Sequence, residues 1–247
     1  MPSRRLAPLM AALFLCVALA GCKSMRAEPS KGGGFVPLQE MSQRTDLPFD
    51  KVWIKSGVDW KKYRVLYVKG VNTGYLLKAS DWQENFRKGK MQGDVKDVAA
   101  YMKNAFENAF KNDPEKRYAI VEHPEPGSLT AETALVELIP SNPVLEALGI
   151  AGPYGSGAVV QAAAQQSGAR ATVAFEAKVT DTDTGEVLAM FADREYGKIA
   201  PVNLRGLTWY GEAQAVIDDW ATQFVEVANK RPGQVIKPAS PFTLMPW

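Results

Sequence analysis

Residues 171–191 have the sequence ATVAFEAKVTDTDTGEVLAMF, in which apolar and polar side chains alternate more regularly than elsewhere in the chain. A period of two is typical of a strand with one buried face. The apolar positions are Ala171, Val173, Phe175, Ala177 and Val179, and the polar ones are Thr172, Glu176, Lys178 and Thr180. Asp, Thr and Gly at 181–185 favour a tight connection into a second strand at 186–191. The stretch therefore predicts a β-hairpin.

Three further segments have strand character. Residues 63–69 are rich in β-branched and aromatic side chains, and residues 117–122 form a short apolar run. In a third segment Ala134, Val136 and Leu138 alternate with residues that are expected to face outward.

Two segments have the three- and four-residue apolar spacing of amphipathic helices. Asp94 is expected to cap the first and Asn112–Pro114 to end it; its apolar positions are Val95, Val98, Met102, Ala105, Phe106, Ala109 and Phe110. The second ends at Arg231–Gly233 and has Ala213, Val216, Ile217, Trp220, Phe224, Val227 and Ala228.

This order of elements predicts an α+β fold, a largely antiparallel β-sheet with the two amphipathic helices packed on one face. Val173, Phe175 and Val179 of the hairpin should then share one core with the helical side chains Met102, Phe106, Trp220 and Phe224. We assign this single domain to residues 49–231 and a Pro-containing C-terminal tail to residues 232–247.

The segment before the domain, residues 22–48, is predicted to be a flexible tether. It is polar and contains Gly32, Gly33 and Gly34 in a row. Glycine is entropically costly to order, and the segment has little apolar periodicity to offset that cost.

Residues 1–21 have the features of a lipoprotein signal peptide. Arg4 and Arg5 precede an apolar run from Leu6 to Leu19 that is too short to remain as a membrane-spanning helix. Leu19-Ala-Gly-Cys22 is a lipobox, so Cys22 is the predicted lipidation site and first mature residue. A plain secretory signal that is cleaved without acylation is the alternative.

The predicted location is the outer membrane, with the domain facing the periplasm. Several acyl chains on one residue would hold the protein firmly, since each buried methylene contributes about 0.8 kcal/mol. Lys23 occupies the position where enteric bacteria need an Asp for inner-membrane retention.

Charge and cysteine content exclude several classes of function. Removing Arg4 and Arg5 from the 29 basic residues leaves 27, equal to the 27 acidic residues, so a nucleic-acid partner is not expected. Cys16 is lost with the signal and Cys22 is acylated, which leaves no thiol for a disulfide, a metal or a nucleophile. A locally basic band at 51–69 is interpreted as a solvated face or, alternatively, a contact for anionic lipid.

No catalytic, cofactor-binding or metal-binding residues are predicted. His123 is the single histidine, whereas zinc catalysis usually needs two or three. The acidic cluster Asp181–Glu186 places its glycine at the fifth position of a would-be EF-hand loop, which requires it at the sixth, so a turn is favoured over calcium. Tyr154 breaks the Gly-x-Ser-x-Gly pattern of a serine hydrolase around Ser156.

Residues 147–169 carry no charge and are rich in small side chains. Small residues permit close approach between chains. We therefore considered this segment as a surface for a protein partner, for self-association or for shallow membrane contact, with an ordinary loop as the alternative.

Several short motifs occur in a characteristic order: Gly34-Phe35, the strand Tyr63–Lys69, Phe175–Asp181 leading into Thr184–Glu186, and Asp219–Ala221. In this order, and together with a lipobox, they resemble the bacterial lipoprotein family catalogued as domain of unknown function 3313 (DUF3313). The resemblance extends from about Gly34 to Ala228. It implies an α+β fold and an envelope location, and it carries over no catalytic residues.

The expected function is that of a non-enzymatic, outer-membrane-anchored lipoprotein that acts through protein or lipid contacts. A second hypothesis is a periplasmic binding module for a small molecule, glycan or lipid, with Trp53, Trp60, Tyr75 and Trp82 as a platform. A third is a hydrolase, which would require two convergent carboxylates in a cleft with perturbed pKa values.

Overall fold

A computed structural model describes residues 27–76, 92–139, 171–198 and 210–243. The elements are β1 (Lys51–Ile54), β2 (Val65–Val68), α1 (Gln92–Lys111), β3 (Ala119–Val121), β4 (Leu129–Ile139), β5 (Thr172–Asp181), β6 (Val187–Tyr196) and α2 (Gly211–Ala228). Short 3-10 helices occur at Leu38–Glu40 and Trp60–Lys62. In the parts of the chain that the structure describes, none of the helices has the length and apolarity needed to cross a membrane.

The six strands form one mixed sheet in the order β1-β6-β5-β4-β2-β3. The pairs β1–β6, β5–β6 and β4–β5 are antiparallel, whereas β2 pairs in parallel with both β3 and β4. The prediction of an α+β domain with a largely antiparallel sheet is confirmed. Strand β1 was not predicted although Val52, Trp53 and Ile54 are typical strand residues, because the run is only four residues long. The parallel pairing of β2 has no local sequence signal.

The predicted hairpin is confirmed as β5 and β6. Asp181 Oδ1 accepts hydrogen bonds from the backbone N–H groups of Asp183 and Thr184, at 3.0 and 3.1 Å. Gly185 has a φ of +70°, a conformation that glycine adopts without steric cost. The acidic cluster is therefore a turn, as predicted.

Both amphipathic helices are present, and they pack together on one face of the sheet. Helix α1 begins at Gln92, two residues before the expected cap Asp94. The hydroxyl of Tyr101 on α1 donates a 2.8 Å hydrogen bond to Asp218 on α2. The predicted core is confirmed: hairpin and helical side chains form one cluster that includes Met102, Phe106, Val173, Phe175 and Trp220.

The expectation that Ala134, Val136 and Leu138 share one face of a strand is wrong. The pairing of β4 with β5 shifts between Leu135 and Glu137, which is a β-bulge. A bulge adds one residue to one strand and so reverses the side-chain alternation beyond it. Consequently Leu135 and Leu138 lie in the main core, while Ala134 and Val136 lie in a small cluster with Ala174.

Glu176, expected among the polar partners in the alternation, is fully buried. Its Oε1 accepts a hydrogen bond from Gly33 N at 2.5 Å, and its Oε2 accepts from Phe35 N and Val36 N at 2.7 and 2.8 Å. We call this arrangement the Glu176 clamp. It fastens the segment before β1 across the face of the sheet that the helices leave uncovered.

Part of the expected tether is thus packed against the sheet. Val36 and Met41 form a buried cluster with Met190, and Leu47 is buried in the main core. A Cβ on Gly33 would stand 2.6 Å from Cγ1 of Val136, so this glycine permits close backbone approach. The structure therefore differs from a flexible coil over residues 33–48. The glycine run and the low apolar periodicity favoured a flexible segment, and neither indicated that it packs against the sheet.

The lipidation site Cys22, the uncharged segment 147–169 and Trp82 lie outside the described residues. The signal peptide and the domain boundaries remain predictions.

Candidate functional site

A cavity of about 440 Å³ lies between the sheet and the C-terminal halves of the two helices. Ligand pockets typically measure about 300–1,000 Å³ and are mostly apolar. The apolar lining includes Leu66, Phe106, Leu129, Ala177, Phe191 and Phe224. This cavity is the candidate functional site.

Small side chains line the sheet side of the cavity. The sheet contributes Ala131, Ala177 and Ala189 to the lining. Trp220, in the middle of α2, is almost fully buried outside the cavity, and its Nε1 donates a 2.7 Å hydrogen bond to Asp193 on β6. This bond fixes α2 against the sheet next to the half of the helix that lines the cavity.

The inner wall of the cavity is aromatic. The ring of Phe224 lies 5.1 Å, centroid to centroid, from both Phe106 and Phe191. Phe224 packs against the main core yet is only half-buried, as are Val179 and Val227, which also line the cavity. Some apolar side chains that the sequence predicts for a closed core therefore line the cavity instead.

Asp113, just after α1, organises the rim of the cavity. Its buried carboxylate accepts hydrogen bonds from Arg117 N at 2.9 Å and from Asn229 Nδ2 at 2.8 Å. Both Arg117 and Asn229 line the cavity. The Oδ1 atom of Asn229 is buried without a hydrogen-bond partner among the described residues. One carboxylate therefore sets the position of two polar rim residues.

Arg117 is held in a defined orientation. Its guanidinium donates to the carbonyl oxygens of Trp60 and Tyr63, at 2.6 and 3.3 Å, and its Cζ lies 4.6 Å from the centroid of the Tyr118 ring. A guanidinium has five N–H donors, and these two bonds use two of them. Trp60 and Tyr118 also line the cavity, so the cation is adjacent to its apolar surface.

The remaining charges on the cavity lining are paired. Lys230 faces Asp46 at 3.0 Å and Glu115 is paired with Arg231, whereas the side chain of Lys178 lies on the opposite face of the sheet, 3.6 Å from Glu132 and over the ring of Phe35. In contrast, Arg117 and Lys61 form no ion pair with any other residue that the structure describes. Arg117 and Lys61 thus have no ion-pair partner among the described residues, and the nearby carboxylate of Asp113 is engaged by backbone and amide donors instead.

A pair of buried carboxylates lies elsewhere. Asp193 Oδ1 accepts a 2.9 Å hydrogen bond from Asp50 N, and Arg194 N donates to Asp50 Oδ2 at 3.3 Å. Complete burial, and secondarily the charge of Asp50, raise the pKa of Asp193 well above its usual value. Neither carboxylate lines the cavity, so the convergent pair in a cleft that a hydrolase needs is not formed there.

The loop at Asp181 is also explained without a ligand. Tyr63 Oη donates a 2.5 Å hydrogen bond to Asp181 Oδ2, and Lys62 Nζ lies 3.3 Å from the same atom. The hydrogen bond from Tyr63, followed by those from the turn, holds the pKa of Asp181 well below its usual value. Within the four described ranges, no group of three or more His, Cys, Asp or Glu side chains could hold a metal ion.

The three described members of the expected aromatic platform, Trp53, Trp60 and Tyr75, do not come together. Trp60 lines the cavity, whereas Trp53 packs near the cluster of Val36 and Met41, and Tyr75 packs edge-to-face on Phe35 at 5.3 Å. The last two lie with the segment before β1, away from the helices.

Sequence reasoning missed the site residues that matter most. The sequence patterns place Arg117 only at the start of a short apolar strand and Lys61 only in a basic band. The Asp113-x-x-x-Arg117 spacing after a helix end was an available signal for an organised turn, but not for its position beside a cavity.

Residues 34–224 match the sequence model of the family described as "Protein of unknown function (DUF3313)". No curated protein shows significant similarity to the chain. Two structures of the PelC dodecamer from Paraburkholderia phytofirmans, one of them of a point variant, are similar at 10% identity and a TM-score of 0.36. They cover 70% of this chain, which covers 94% and 95% of theirs. Likeness at this level supports no conclusion about this chain.

Proposed function

This chain belongs to the DUF3313 family, and we propose that it is a non-enzymatic lipoprotein of the bacterial outer membrane that binds an apolar ligand. Cys22 carries the lipid anchor, and the cavity between helices and sheet holds the ligand. The protein thus acts through contacts with lipid or with a lipid-like small molecule.

The observation that carries this proposal is the cavity itself. Protein interiors are packed about as densely as organic crystals, and the voids within them are few and small. A space of about 440 Å³ lined by aromatic and aliphatic side chains is therefore more than a packing imperfection. A ligand that fills it removes apolar surface from water at roughly 25 cal/mol per Å².

The anchor would keep the domain that contains this cavity close to the membrane. Ten residues separate Cys22 from Gly33, where the Glu176 clamp begins. Even fully extended, such a stretch reaches no more than about 40 Å. A membrane is the nearest source of apolar molecules, so the two parts of the proposal support each other.

Ligand binding is tested with diphenylhexatriene, an uncharged probe that fluoresces in apolar surroundings. The protein is the full chain with Cys22→Ser, which removes the acylation site. Ala131→Leu puts bulk into the cavity and should abolish most of the fluorescence gain. Ala119→Leu, on exposed β3, is the matched control and should leave it unchanged. Equal fluorescence in all three proteins would contradict binding in this cavity.

The anchor is tested by metabolic labelling with a palmitate analogue. The unmodified chain should be labelled and found with the membrane, and Cys22→Ser should lose both properties. Labelling of the Ser variant at the level of the parent would rule out Cys22 as the acylation site.

A further inference from the structure

We infer that the natural ligand is a single-chain amphiphile with a carboxylate headgroup, a fatty acid, whose carboxylate binds Arg117 at the rim of the cavity. This inference rests on the proposed ligand-binding function. It adds the charge and the orientation of the ligand, with the chain directed inward and the headgroup at the rim.

The charge distribution supports an anion. Every other charged side chain on the lining has a partner of opposite sign, but Arg117 and Lys61 have none among the described residues. A half-buried guanidinium beside an apolar wall is partly desolvated, and an acceptor of negative charge would restore the lost interactions. A neutral ligand would leave that positive charge uncompensated.

The geometry of Arg117 supports a carboxylate. The guanidinium is already ordered by the carbonyl oxygens of Trp60 and Tyr63 and by the Tyr118 ring, so binding costs little further side-chain entropy. The donors not used by these carbonyl groups can form charge-assisted hydrogen bonds, which are stronger than neutral ones. Lys61, on the adjacent 3-10 helix, adds a second, exposed positive charge.

The guanidinium adjoins the apolar lining of the cavity. It lies over the Tyr118 ring and donates to the backbone carbonyl of Trp60, and both residues line the cavity together with the buried side chains of Phe110, Leu66 and Phe106. A carboxylate at Arg117 therefore places the first methylenes of the chain against aromatic rings. A carboxylate bound deeper in the cavity would lose its hydration and would meet no cationic side chain of the described residues.

The experiment compares parinaric acid, a naturally fluorescent fatty acid, with its methyl ester, using the full chain with Cys22→Ser. The two probes have the same apolar chain and differ in charge. The acid should bind at least about tenfold more tightly than the ester, because a hydrogen bond to a charged group is worth roughly 1.5–3 kcal/mol. Arg117→Gln should bring the ratio of acid to ester affinity close to one, whereas Ala119→Leu, outside the cavity, should keep the ratio of the parent.

Lys61→Gln should weaken acid binding only about two- to threefold, since an exposed charge contributes little.

The possible failures are distinguishable. If acid and ester bind the parent equally well, or if Arg117→Gln keeps the preference for the acid, the carboxylate inference is overturned while apolar binding stands. If neither probe nor diphenylhexatriene binds, the proposed function falls with it.

Discussion

The two faces of this sheet are covered in opposite ways. The helix-covered face has a thick layer of large apolar side chains, and yet a cavity of about 440 Å³ remains within it. The opposite face is covered partly by a thin segment of backbone, which a buried carboxylate holds with three hydrogen bonds. Hydrophobic packing is non-directional, so an apolar ligand can complete it, whereas a buried carboxylate requires hydrogen-bond donors at fixed positions. The looser face is accordingly the better place for a ligand.

The largest difference should appear within the helix-covered face. Phe106→Ala should lower the free energy of unfolding by about 3–5 kcal/mol, because this side chain is almost fully buried although it lines the cavity. Phe224→Ala should cost less, roughly 1.5–3 kcal/mol, because its ring is only half-buried and buries less apolar surface. Chemical denaturation measures both. Equal losses for the two variants would mean that the cavity is not open around Phe224.

On the face of the sheet opposite the helices, the next largest effect should come from breaking the hydrogen bonds of Glu176. Glu176→Gln turns one acceptor oxygen into an NH₂ group that faces backbone donors, so it should destabilise by about 1–3 kcal/mol. The amides that face the new NH₂ group, either Gly33 or Phe35 and Val36, should also exchange hydrogen faster, because the remaining carbonyl oxygen can accept on one side only.

Glu132→Gln is the matched control for the clamp. Glu132 lies on the same face of the sheet but forms only surface ion pairs with Lys69 and Lys178, so its loss should cost no more than about 1 kcal/mol. A clamp variant that behaves like this control, with unchanged exchange at Gly33, Phe35 and Val36, would show that the segment is not held by Glu176.

The smallest expected effect is a dependence on pH at Asp193, which ties α2 to the sheet beside the cavity. Its pKa is raised in the folded state by burial and by the charge of Asp50. Its contribution to stability is therefore full below its unfolded pKa of about 3.9 and is lost as pH rises through the folded pKa. Asp193→Asn removes this titration.

The measurement is the unfolding free energy of the unmodified chain and of Asp193→Asn across the acid to neutral range. Relative to the unmodified chain, the variant should gain stability as pH rises. Comparing the two proteins cancels Asp46 and Asp181, whose lowered pKa values act in the opposite direction. A difference that stays constant with pH would exclude a raised pKa at Asp193.

The hairpin and both helices could be predicted because their signals are local. The alternation around Phe175 and the helical spacing around Trp220 each lie within a short window of sequence. The alternation predicted for β4 is wrong beyond Leu135, where a bulge inserts one residue. A bulge reverses the alternation but leaves the composition of the strand unchanged, so composition does not reveal it. Glycine at position 33 was interpreted as flexibility, although it allows backbone to approach Val136 closely. Composition does not distinguish these two uses of glycine.

The sequence alone is enough to predict the lipobox, the signal peptide, the hairpin and the two helices. Each of these predictions depends only on residues that are close together in the chain. The tertiary structure alone shows that β2 lies between two parallel partners and that Glu176 accepts hydrogen bonds from Gly33, which is 143 positions away. It alone also places Arg117 beside an apolar cavity. These features arise from pairings between distant segments, and such pairings depend on how whole faces fit together.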